Sequence, residues 1–114
     1  MADKTLFQKI ADGDIPSEML YEDDVCFAIR DINPQAPVHF LVIPRRPIPT
    51  LNHLEKADED LVGHLFTVAA KLAMEEELTD GYRTVFNCGR HGQQTVNHLH
   101  LHVLGGRQLK WPPG

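Results

Sequence analysis

The sequence predicts a single α+β domain in which helices pack against an antiparallel sheet. Two stretches have the spacing of helices and five have the patterns of strands, in the order helix, three strands, helix, two strands. The links between these elements are short, which favours antiparallel neighbours over parallel strands joined by long crossovers. A chain of 114 residues is sufficient for one hydrophobic core, so we expect residues 1–114 to form one domain.

The first part of the chain is predicted to contain a short helix and a β-hairpin. Residues 5–11 place apolar side chains at helical spacing, with Asp3 or Thr5 available as the N-cap. Residues 19–22 and 25–31 are extended runs separated by two aspartates, which are typical of a tight turn. We therefore expect these two runs to pair as a hairpin.

Three further strands and a long helix are predicted in the rest of the chain. Residues 38–44 are almost entirely apolar, which predicts a central strand covered on both faces. Residues 57–78 repeat apolar side chains at three- and four-residue steps and begin with acidic residues, which is typical of an amphipathic helix. Residues 82–88 and 98–104 alternate as strands, and the loop 89–94 between them is punctuated by glycine.

Charge and composition exclude several classes of protein. Eleven basic and sixteen acidic residues give a formal net charge of -5, which argues against a protein that grips nucleic acid through its phosphates. No apolar run has the length of a signal peptide or a membrane span, so we expect a cytoplasmic protein without membrane association, present also in the nucleus if the source is a eukaryote. Cys26 and Cys88 lack a CxxC spacing and are expected to be reduced thiols.

Three histidines with alternating spacing are the main candidates for chemistry. A strand would place His98, His100 and His102 on one face and the intervening apolar residues on the other. In one interpretation they bind zinc, although their side chains would have to converge from points about 7 Å apart along the strand. In another, the middle imidazole attacks a phosphorus atom while the outer two orient oxygens and donate protons. A third interpretation gives these strand histidines no joint role.

The loop before the three histidines favours the catalytic interpretation. Its glycines allow backbone N–H groups to face an anion. Gln94 and Thr95 add hydrogen-bond donors at the start of the predicted strand. The sequence therefore indicates a phosphate site next to the imidazoles.

At this point the sequence resembles a known family. Residues 87–114 are similar to the end of the histidine triad (HIT) proteins of the HINT branch, the histidine triad nucleotide-binding proteins. The family signature alternates three histidines with apolar residues, and the tail motifs GGRQ and WPPG make the match highly specific. The signature here is His98-Leu99-His100-Leu101-His102-Val103-Leu104. The resemblance covers almost the whole chain, including residues 7–10, 21–24, 30–44 and 81–83.

The resemblance implies a five-stranded antiparallel sheet with two helices, joined in a homodimer to form a continuous ten-stranded sheet. It also implies a purine nucleoside 5'-phosphoramidate hydrolase of the adenosine 5'-monophosphoramidase type. His100 would be the nucleophile that carries the nucleotidyl group. His102, partnered by His39, would fix the tautomer of the nucleophile, and His98 would contact the phosphate or the leaving group. No metal or cofactor is implied.

The resemblance assigns further residues to the binding of a purine nucleotide such as AMP or GMP. The ribose hydroxyls would bind to Asp31, since a carboxylate is a natural acceptor for a vicinal diol. Trp111, in the tail 105–114, would pack near the active site of the second subunit and contribute to the dimer interface and leaving-group specificity. The base would lie in an apolar slot formed by Phe7, Ile10, Ile15 and Ile32. Phosphate contacts would come from Asn87, Gln94, Thr95 and Val96, with Thr95 in place of the more common Ser. Gln93 and Asn97 stand where the family usually has Gly and Tyr.

A second function of a different class is a non-catalytic nucleotide-binding dimer that uses the same pocket for regulation or as a scaffold for protein partners. A zinc-binding module is a third alternative. Dinucleoside polyphosphate hydrolysis, known from a longer branch of the family, is disfavoured by the tail. His53, His64 and His91 are isolated in the sequence and are interpreted as surface or structurally satisfied residues.

Overall fold

A five-stranded antiparallel sheet forms the centre of the structure, a computed structural model that describes residues 3–114. The order of the strands across the sheet is β1-β2-β3-β5-β4, so the last two strands continue the sheet beyond the central one. The fold class predicted from the sequence, an antiparallel sheet with two helices, is confirmed. The strands are β1 (Met19–Glu22), β2 (Cys26–Arg30), β3 (Val38–Pro44), β4 (Tyr82–Val85) and β5 (Leu101–Gly105).

The short helix α1 spans Leu6–Ala11, and its N-cap is Thr5, one of the two residues expected there. The Thr5 hydroxyl accepts a hydrogen bond from the Gln8 backbone N–H, and the Gln8 side chain accepts one from the Thr5 backbone N–H. This capping box satisfies two backbone donors that a helix start leaves unpaired. Phe7 and Ile10 are buried on the inner face of α1, which holds the helix against the sheet.

The long helix α2 spans Glu59–Glu75 and is shorter than the predicted 57–78. Two short 3-10 turns, Leu51–His53 and Lys56–Asp58, precede it. The helix ends where Glu77 adopts a left-handed backbone conformation with φ of 61°, which reverses the chain toward β4. The sequence pattern extended too far because Leu78 is buried like a helix residue although it follows the helix.

The two helices cover opposite faces of the sheet. Helix α2 packs on residues of β2, β3 and β5 that include Ala28, Phe40 and Val103. Helix α1 packs on the other face, where Phe7 joins a cluster with Ile29. Strand β3 is therefore covered on both sides, as its apolar sequence predicts, and every residue after Val38 in this strand is buried.

The last strand begins later than the alternating pattern predicts. Only His102 of the three signature histidines lies on β5, since the strand begins at Leu101. Before it, the Leu99 backbone N–H donates to the carbonyl of Ile48, 2.6 Å away, instead of continuing the ladder with β3. Residues 98–104 were expected to form one strand. Instead, residues 98–100 precede the strand, which has five residues and begins at Leu101.

Strand β4 also ends earlier than predicted, at Val85 rather than residue 88. Its last residue pairs with His102 of β5, and the chain then turns into the glycine-punctuated loop. Among residues 3–114, no helix combines the length and the apolar character needed to span a membrane. Cys26 is buried, Cys88 is half-buried, and both are free.

Candidate active site

Four histidines from two neighbouring strands and the segment before β5 lie together on the α1 side of the sheet. His39 is on β3 and His102 is on the adjacent β5, with ring centroids 5.2 Å apart. The ring of His100 is 5.0 Å from that of His102. The Phe7 ring of α1 lies 4.8 Å from His100 and 5.6 Å from His98, edge to face, which brings the fourth histidine into the group.

The tautomer of His100 follows from its partner. Its Nδ1 lies 2.7 Å from the backbone carbonyl oxygen of His98. A carbonyl can only accept, so Nδ1 carries the proton and donates it in this hydrogen bond. The other nitrogen, Nε2, then has a free lone pair and no hydrogen-bond partner among the described residues. This is the protonation state that a nucleophilic imidazole requires.

A second chain of hydrogen bonds sets the tautomers of His39 and His102. The Gln35 backbone N–H donates to Nδ1 of His39 across 3.0 Å, so the proton of neutral His39 is on Nε2. That Nε2–H faces Nδ1 of His102 at 2.9 Å. His102 therefore accepts at Nδ1 and carries its own proton on Nε2. The pair thus offers an N–H donor on the ring next to His100, with the two ring centroids 5.0 Å apart.

His98 is fully buried, and both of its ring nitrogens are engaged. Its Nε2 donates to the carbonyl oxygen of Pro44 at 2.7 Å, and its Nδ1 lies 2.6 Å from the Thr5 hydroxyl. This geometry favours a supporting role for His98, through its carbonyl bond to His100, over the direct contact with phosphate or leaving group that the resemblance implies. Thr5 was identified from the sequence only as a helix cap, because a contact across 93 residues leaves no local signal.

Burial keeps all four imidazoles neutral. Desolvation lowers the pKa of His98 and of His100 below the usual value, and it lowers that of His39 against an opposing effect of Asp31. The pKa of His102 falls to about 4, first because of burial and then because of the neighbouring rings of His100 and His39. The site therefore presents neutral donors and acceptors near pH 7.

Asp31 lies at the edge of the histidine cluster. Its Oδ2 is 3.4 Å from Nε2 of His39 and 4.0 Å from Nδ1 of His102, while its Oδ1 accepts the Asn33 backbone N–H at 2.8 Å. The Asp31 side chain is 18% exposed, so part of the carboxylate is open to a ligand. A carboxylate in this position can accept hydrogen bonds from hydroxyl groups.

Two groups of side chains have the ligand types of a metal site. In one, single ligand atoms of Asp31, His39 and His102 lie within 4.8 Å of one another. The Nε2 of His39 and the Nδ1 of His102 are already joined by a hydrogen bond, so a metal ion would have to break that pair. The other group is Asp23, Cys26 and His64. There burial raises the pKa of the Cys26 thiol to about 12, which disfavours the thiolate that a metal requires.

The residues expected to form the base slot separate into buried and exposed members. Phe7 and Ile10 belong to the core cluster under α1, and Ile15 is half-buried against it. Ile32, in contrast, is 97% exposed in the turn that follows Asp31. An apolar side chain at the surface beside a carboxylate is suited to covering one face of a flat, partly apolar ligand.

The loop before the histidines is held by its own side chains. The amide of Asn87 donates to the carbonyl oxygen of Gly92 at 2.6 Å. The amide of Gln94 donates to the carbonyl oxygens of Pro49 and Val96 at 2.7 and 3.0 Å and accepts the N–H of Gly89. These amides therefore shape the loop. Thr95, which follows, is exposed.

Two positions in this loop have restricted backbones. A Cβ at Gly92 would lie 2.5 Å from the Cys88 carbonyl oxygen, so only glycine fits there without movement. Gln93 has a φ of 58°, in the left-handed region that glycine, the residue expected here from the resemblance, adopts without strain. Asn97 is exposed.

Residues assigned no catalytic role have other contacts or are exposed. His64 is 2.7 Å from an Asp23 carboxylate oxygen, and His53 is 2.8 Å from the Thr50 hydroxyl. His91 is exposed in the loop. Trp111 of the tail is 80% exposed, and the Arg83 guanidinium carbon lies 6.0 Å from the centroid of its ring.

Comparison with known proteins agrees with this geometry. A family model described as HIT domain matches residues 12–109. An uncharacterized HIT-like protein of Synechococcus elongatus is 53% identical over 114 residues, with all of both chains covered.

Solved structures give the same result. The crystal structure of a HIT family hydrolase from Legionella pneumophila is 49% identical, with a TM-score of 0.95 and coverage of 97% of this chain and 100% of that one. A histidine triad nucleotide-binding protein from Candida albicans is 30% identical with a TM-score of 0.81, and the match covers 96% of this chain and 83% of that one. The fold is therefore that of HIT hydrolases and nucleotide-binding proteins, and the chain belongs to the HIT domain family.

Proposed function

We propose that the protein hydrolyses purine nucleoside 5'-phosphoramidates, releasing a nucleoside monophosphate and an amine. The observation that carries this proposal is the hydrogen bond from Nδ1 of His100 to the His98 carbonyl oxygen, 2.7 Å long. It leaves Nε2 of a neutral imidazole unprotonated beside a second imidazole that carries an N–H. Displacement at phosphorus in two steps needs an unprotonated nucleophile, and a neighbouring hydrogen-bond donor can orient the group that it attacks.

In the first step, Nε2 of His100 attacks the phosphorus atom and the P–N bond to the amine breaks. The Nε2–H of the neighbouring His102 donates a hydrogen bond to the bound phosphoramidate, and the amine leaves with a proton taken from solvent. In the second step, water attacks the nucleotidyl-imidazole and the bond between phosphorus and His100 breaks. A proton of that water is released to solvent, so the enzyme recovers its starting state and one water is consumed per phosphoramidate.

The nucleotide pocket that we propose uses the residues expected from the sequence. Asp31 binds the ribose hydroxyls with the part of its carboxylate that is open. Phosphate binding falls to Thr95 and to backbone N–H groups near Asn87, Gln94 and Val96, since the two amide side chains already hold the loop. The base occupies an apolar slot with Ile32 on its exposed side; the other members of this slot are Phe7, Ile10 and Ile15.

We also propose a cytoplasmic homodimer in which the sheet continues across the subunits into ten strands. Strand β4 is at the edge of the sheet, so its outer backbone groups are available for a second copy. Tyr82 on this strand and Trp111 in the tail are both exposed. A cavity of ≈ 500 Å³ lies between the turn before β4 and the start of the tail. In a dimer, Trp111 of the 105–114 tail would contribute to the choice of leaving group near the second active site.

The direct test is turnover of adenosine 5'-phosphoramidate and its guanosine equivalent, with and without EDTA. We expect release of the nucleoside monophosphate by the natural protein, unchanged by EDTA, and a loss of about 100-fold or more in His100→Ala. Rapid quenching in an alkaline denaturant, in which the P–N bond of a nucleotidyl-histidine is stable, should trap radioactive nucleotide on the natural protein but not on His100→Ala. Full activity of His100→Ala, or loss of activity in EDTA, would contradict the mechanism.

The same experiment separates this proposal from a regulatory nucleotide-binding dimer. Equilibrium binding of AMP or GMP, together with no hydrolysis of any phosphoramidate tried, would favour the regulatory function. Protein partners of such a dimer would then have to be identified. Comparing rates on a diadenosine polyphosphate and a phosphoramidate distinguishes cleavage of P–O–P bonds from cleavage of P–N bonds. We expect the phosphoramidate to react faster.

A further inference from the structure

The start of helix α1 reaches the catalytic histidines through Thr5. The Oγ1 of Thr5 lies 2.6 Å from Nδ1 of His98, 93 residues away in the sequence. The same oxygen accepts the backbone N–H of Gln8 at 3.0 Å as the cap of the helix. One hydroxyl therefore serves both a helix terminus and a buried imidazole.

The direction of the hydrogen bond between Thr5 and His98 is determined by the far side of the ring. Nε2 of His98 faces the Pro44 carbonyl oxygen, which can only accept, so the proton of the neutral ring is on Nε2. Nδ1 must then accept, and the Thr5 hydroxyl donates. The hydroxyl uses its donor on His98 and a lone pair on Gln8, so no other residue type except serine can replace it at the same place.

The effect of this bond extends to the nucleophile through the backbone. The His98 ring is fixed at both nitrogens, and the carbonyl of the same residue receives the proton of His100 Nδ1 at 2.7 Å. Phe7, two residues after Thr5, contacts both rings edge to face. A change at Thr5 would alter the position of residue 98 and with it the alignment of His100.

We propose that Thr5 is a positioning residue for the nucleophile: its hydroxyl donates to Nδ1 of His98 and holds that ring in one orientation, and the His98 carbonyl in turn holds His100 with Nε2 unprotonated. This inference rests on the proposed function for its kinetic consequence. Its structural part, the tautomers of His98 and His100, stands on the hydrogen bonds alone. Thr5 itself does not contact the reacting atoms.

Three substitutions separate the two tasks of the hydroxyl. Thr5→Ser keeps the cap and the donor. Thr5→Asp keeps the cap, because aspartate is as good an N-cap as serine, but a carboxylate cannot donate to His98. Thr5→Val loses both. If Thr5 acts only as a helix cap, Thr5→Asp should behave as the natural protein does, whereas the proposal predicts that it is impaired.

Thr50 provides a matched control for Thr5. Thr50 caps the 3-10 turn Leu51–His53 and its Oγ1 lies 2.8 Å from Nδ1 of His53, so it repeats the pairing of a capping hydroxyl with a histidine. His53 has no place in the proposed mechanism. Thr50→Val should therefore leave kcat and KM within about twofold of the natural values, while the same change at Thr5 should not.

The experiment measures kcat and KM on adenosine 5'-phosphoramidate and ¹⁵N chemical shifts of the histidine rings in the full chain. We expect Thr5→Ser to be within about threefold of the natural kcat, and Thr5→Asp and Thr5→Val to lose about tenfold or more in kcat with little change in KM. In Thr5→Asp, Nδ1 of His98 should become protonated, since carboxylate and carbonyl then both accept. The ring shifts do not depend on turnover, so they test Thr5 even if no phosphoramidate is hydrolysed.

Two results would overturn the proposal. One is natural kcat in Thr5→Asp, which would limit Thr5 to capping. The other is an unchanged ¹⁵N shift of His98 Nδ1 in Thr5→Asp, which would show that the side chain of residue 5 does not bond to that nitrogen. If Thr5→Val fails to fold, the comparison of Thr5→Ser with Thr5→Asp decides the question without it. Failure of the natural protein to hydrolyse any phosphoramidate, with the predicted shifts intact, would count against the proposed function and not against the hydrogen bond by which Thr5 holds His98.

Discussion

The Nε2–H of His39 points at Nδ1 of His102 across 2.9 Å, from one strand of the sheet to its neighbour. The pairing of Leu41 with His102 and of His39 with Leu104 sets this distance, so the register between β3 and β5 determines the chemistry of the site. A shift by one residue would place these imidazoles on opposite faces of the sheet. The fold and the tautomer of His102 are therefore parts of one arrangement.

Removing His39 should slow the chemical step more than it weakens binding. In His39→Ala, His102 loses the donor that holds its Nδ1, and its Nε2–H is no longer fixed. We expect kcat to fall about 10- to 100-fold with KM nearly unchanged, the range found when a partner that orients an imidazole is removed. Gln35→Ala is the control, since the contact from residue 35 uses its backbone N–H and survives the change. Equal losses in both variants would contradict the assignment.

The pH dependence of kcat/KM should show an acid limb below the ordinary range of histidine. Desolvation lowers the pKa of His100, and the nucleophile must be neutral in order to react. Activity should therefore stay level from pH 8 to below 6.5 and decline only at more acid pH. Measuring kcat/KM in overlapping buffers from pH 4 to 9 tests this. An acid limb centred above 6.5 would show that a group other than a buried imidazole is limiting.

Asp31→Asn should weaken recognition of the ribose. The neutral amide has the same shape but accepts hydrogen bonds less strongly than the carboxylate. We expect KM for adenosine 5'-phosphoramidate to rise about tenfold, equivalent to ~1.4 kcal/mol. The comparison uses a 2',3'-dideoxy substrate, on which natural protein and variant should be alike. A defect of the same size on both substrates would show that Asp31 does not act through the ribose hydroxyls.

Two glycine substitutions should have opposite effects. Gly92→Ala forces a Cβ to within 2.5 Å of the Cys88 carbonyl oxygen and disturbs the bond from Asn87, so we expect loss of activity together with lower stability. Gly63→Ala is the control in helix α2, where an added Cβ meets nothing within 4 Å. It should raise the free energy of unfolding by ~0.5–1 kcal/mol, because alanine loses less backbone entropy. Urea unfolding and turnover assays on both variants check these outcomes.

Acid should destabilise the fold over the pH range in which histidine is protonated in the unfolded chain but still neutral in the folded state. The unfolded chain binds protons at histidine near pH 6.5, while in the folded state the pKa of His102 is about 4 and those of His98 and His100 are also lowered. Between these values the unfolded state holds more protons, so the free energy of unfolding falls as the pH decreases. Each such histidine contributes a slope of up to ~1.4 kcal/mol per pH unit.

Urea titrations at pH 7.5, 6.5, 5.5 and 4.5 measure this slope. The stability from the histidines is fully present above pH 6.5 and is lost progressively toward pH 4. A free energy of unfolding that is constant from pH 6.5 to 4.5 would show that the imidazoles titrate alike in both states.

Local patterns in the sequence predicted most of the fold. The bounds of β1 and β3 agree with the structure because alternation and a continuous apolar run depend only on near neighbours. The end of α2 and the start of β5 were misplaced because other segments decide them: Ile48 takes the Leu99 N–H that a longer strand would have paired. The candidate site was proposed from the spacing of three histidines and the family resemblance. Its tautomers and the contact with Thr5 depend on carbonyls and hydroxyls that no sequence pattern reveals.

The strand order has a consequence for the time course of synthesis. Strand β5 lies between β3 and β4, so the chain must leave the ribosome as far as Gly105 before the centre of the sheet can form. Thr5, whose hydroxyl holds His98, is made 93 positions before its partner. Such nonlocal pairing slows folding relative to a domain built from local contacts. A nascent chain should thus stay open until β5 has emerged, which pulse proteolysis of ribosome-bound fragments ending before and after β5 would detect.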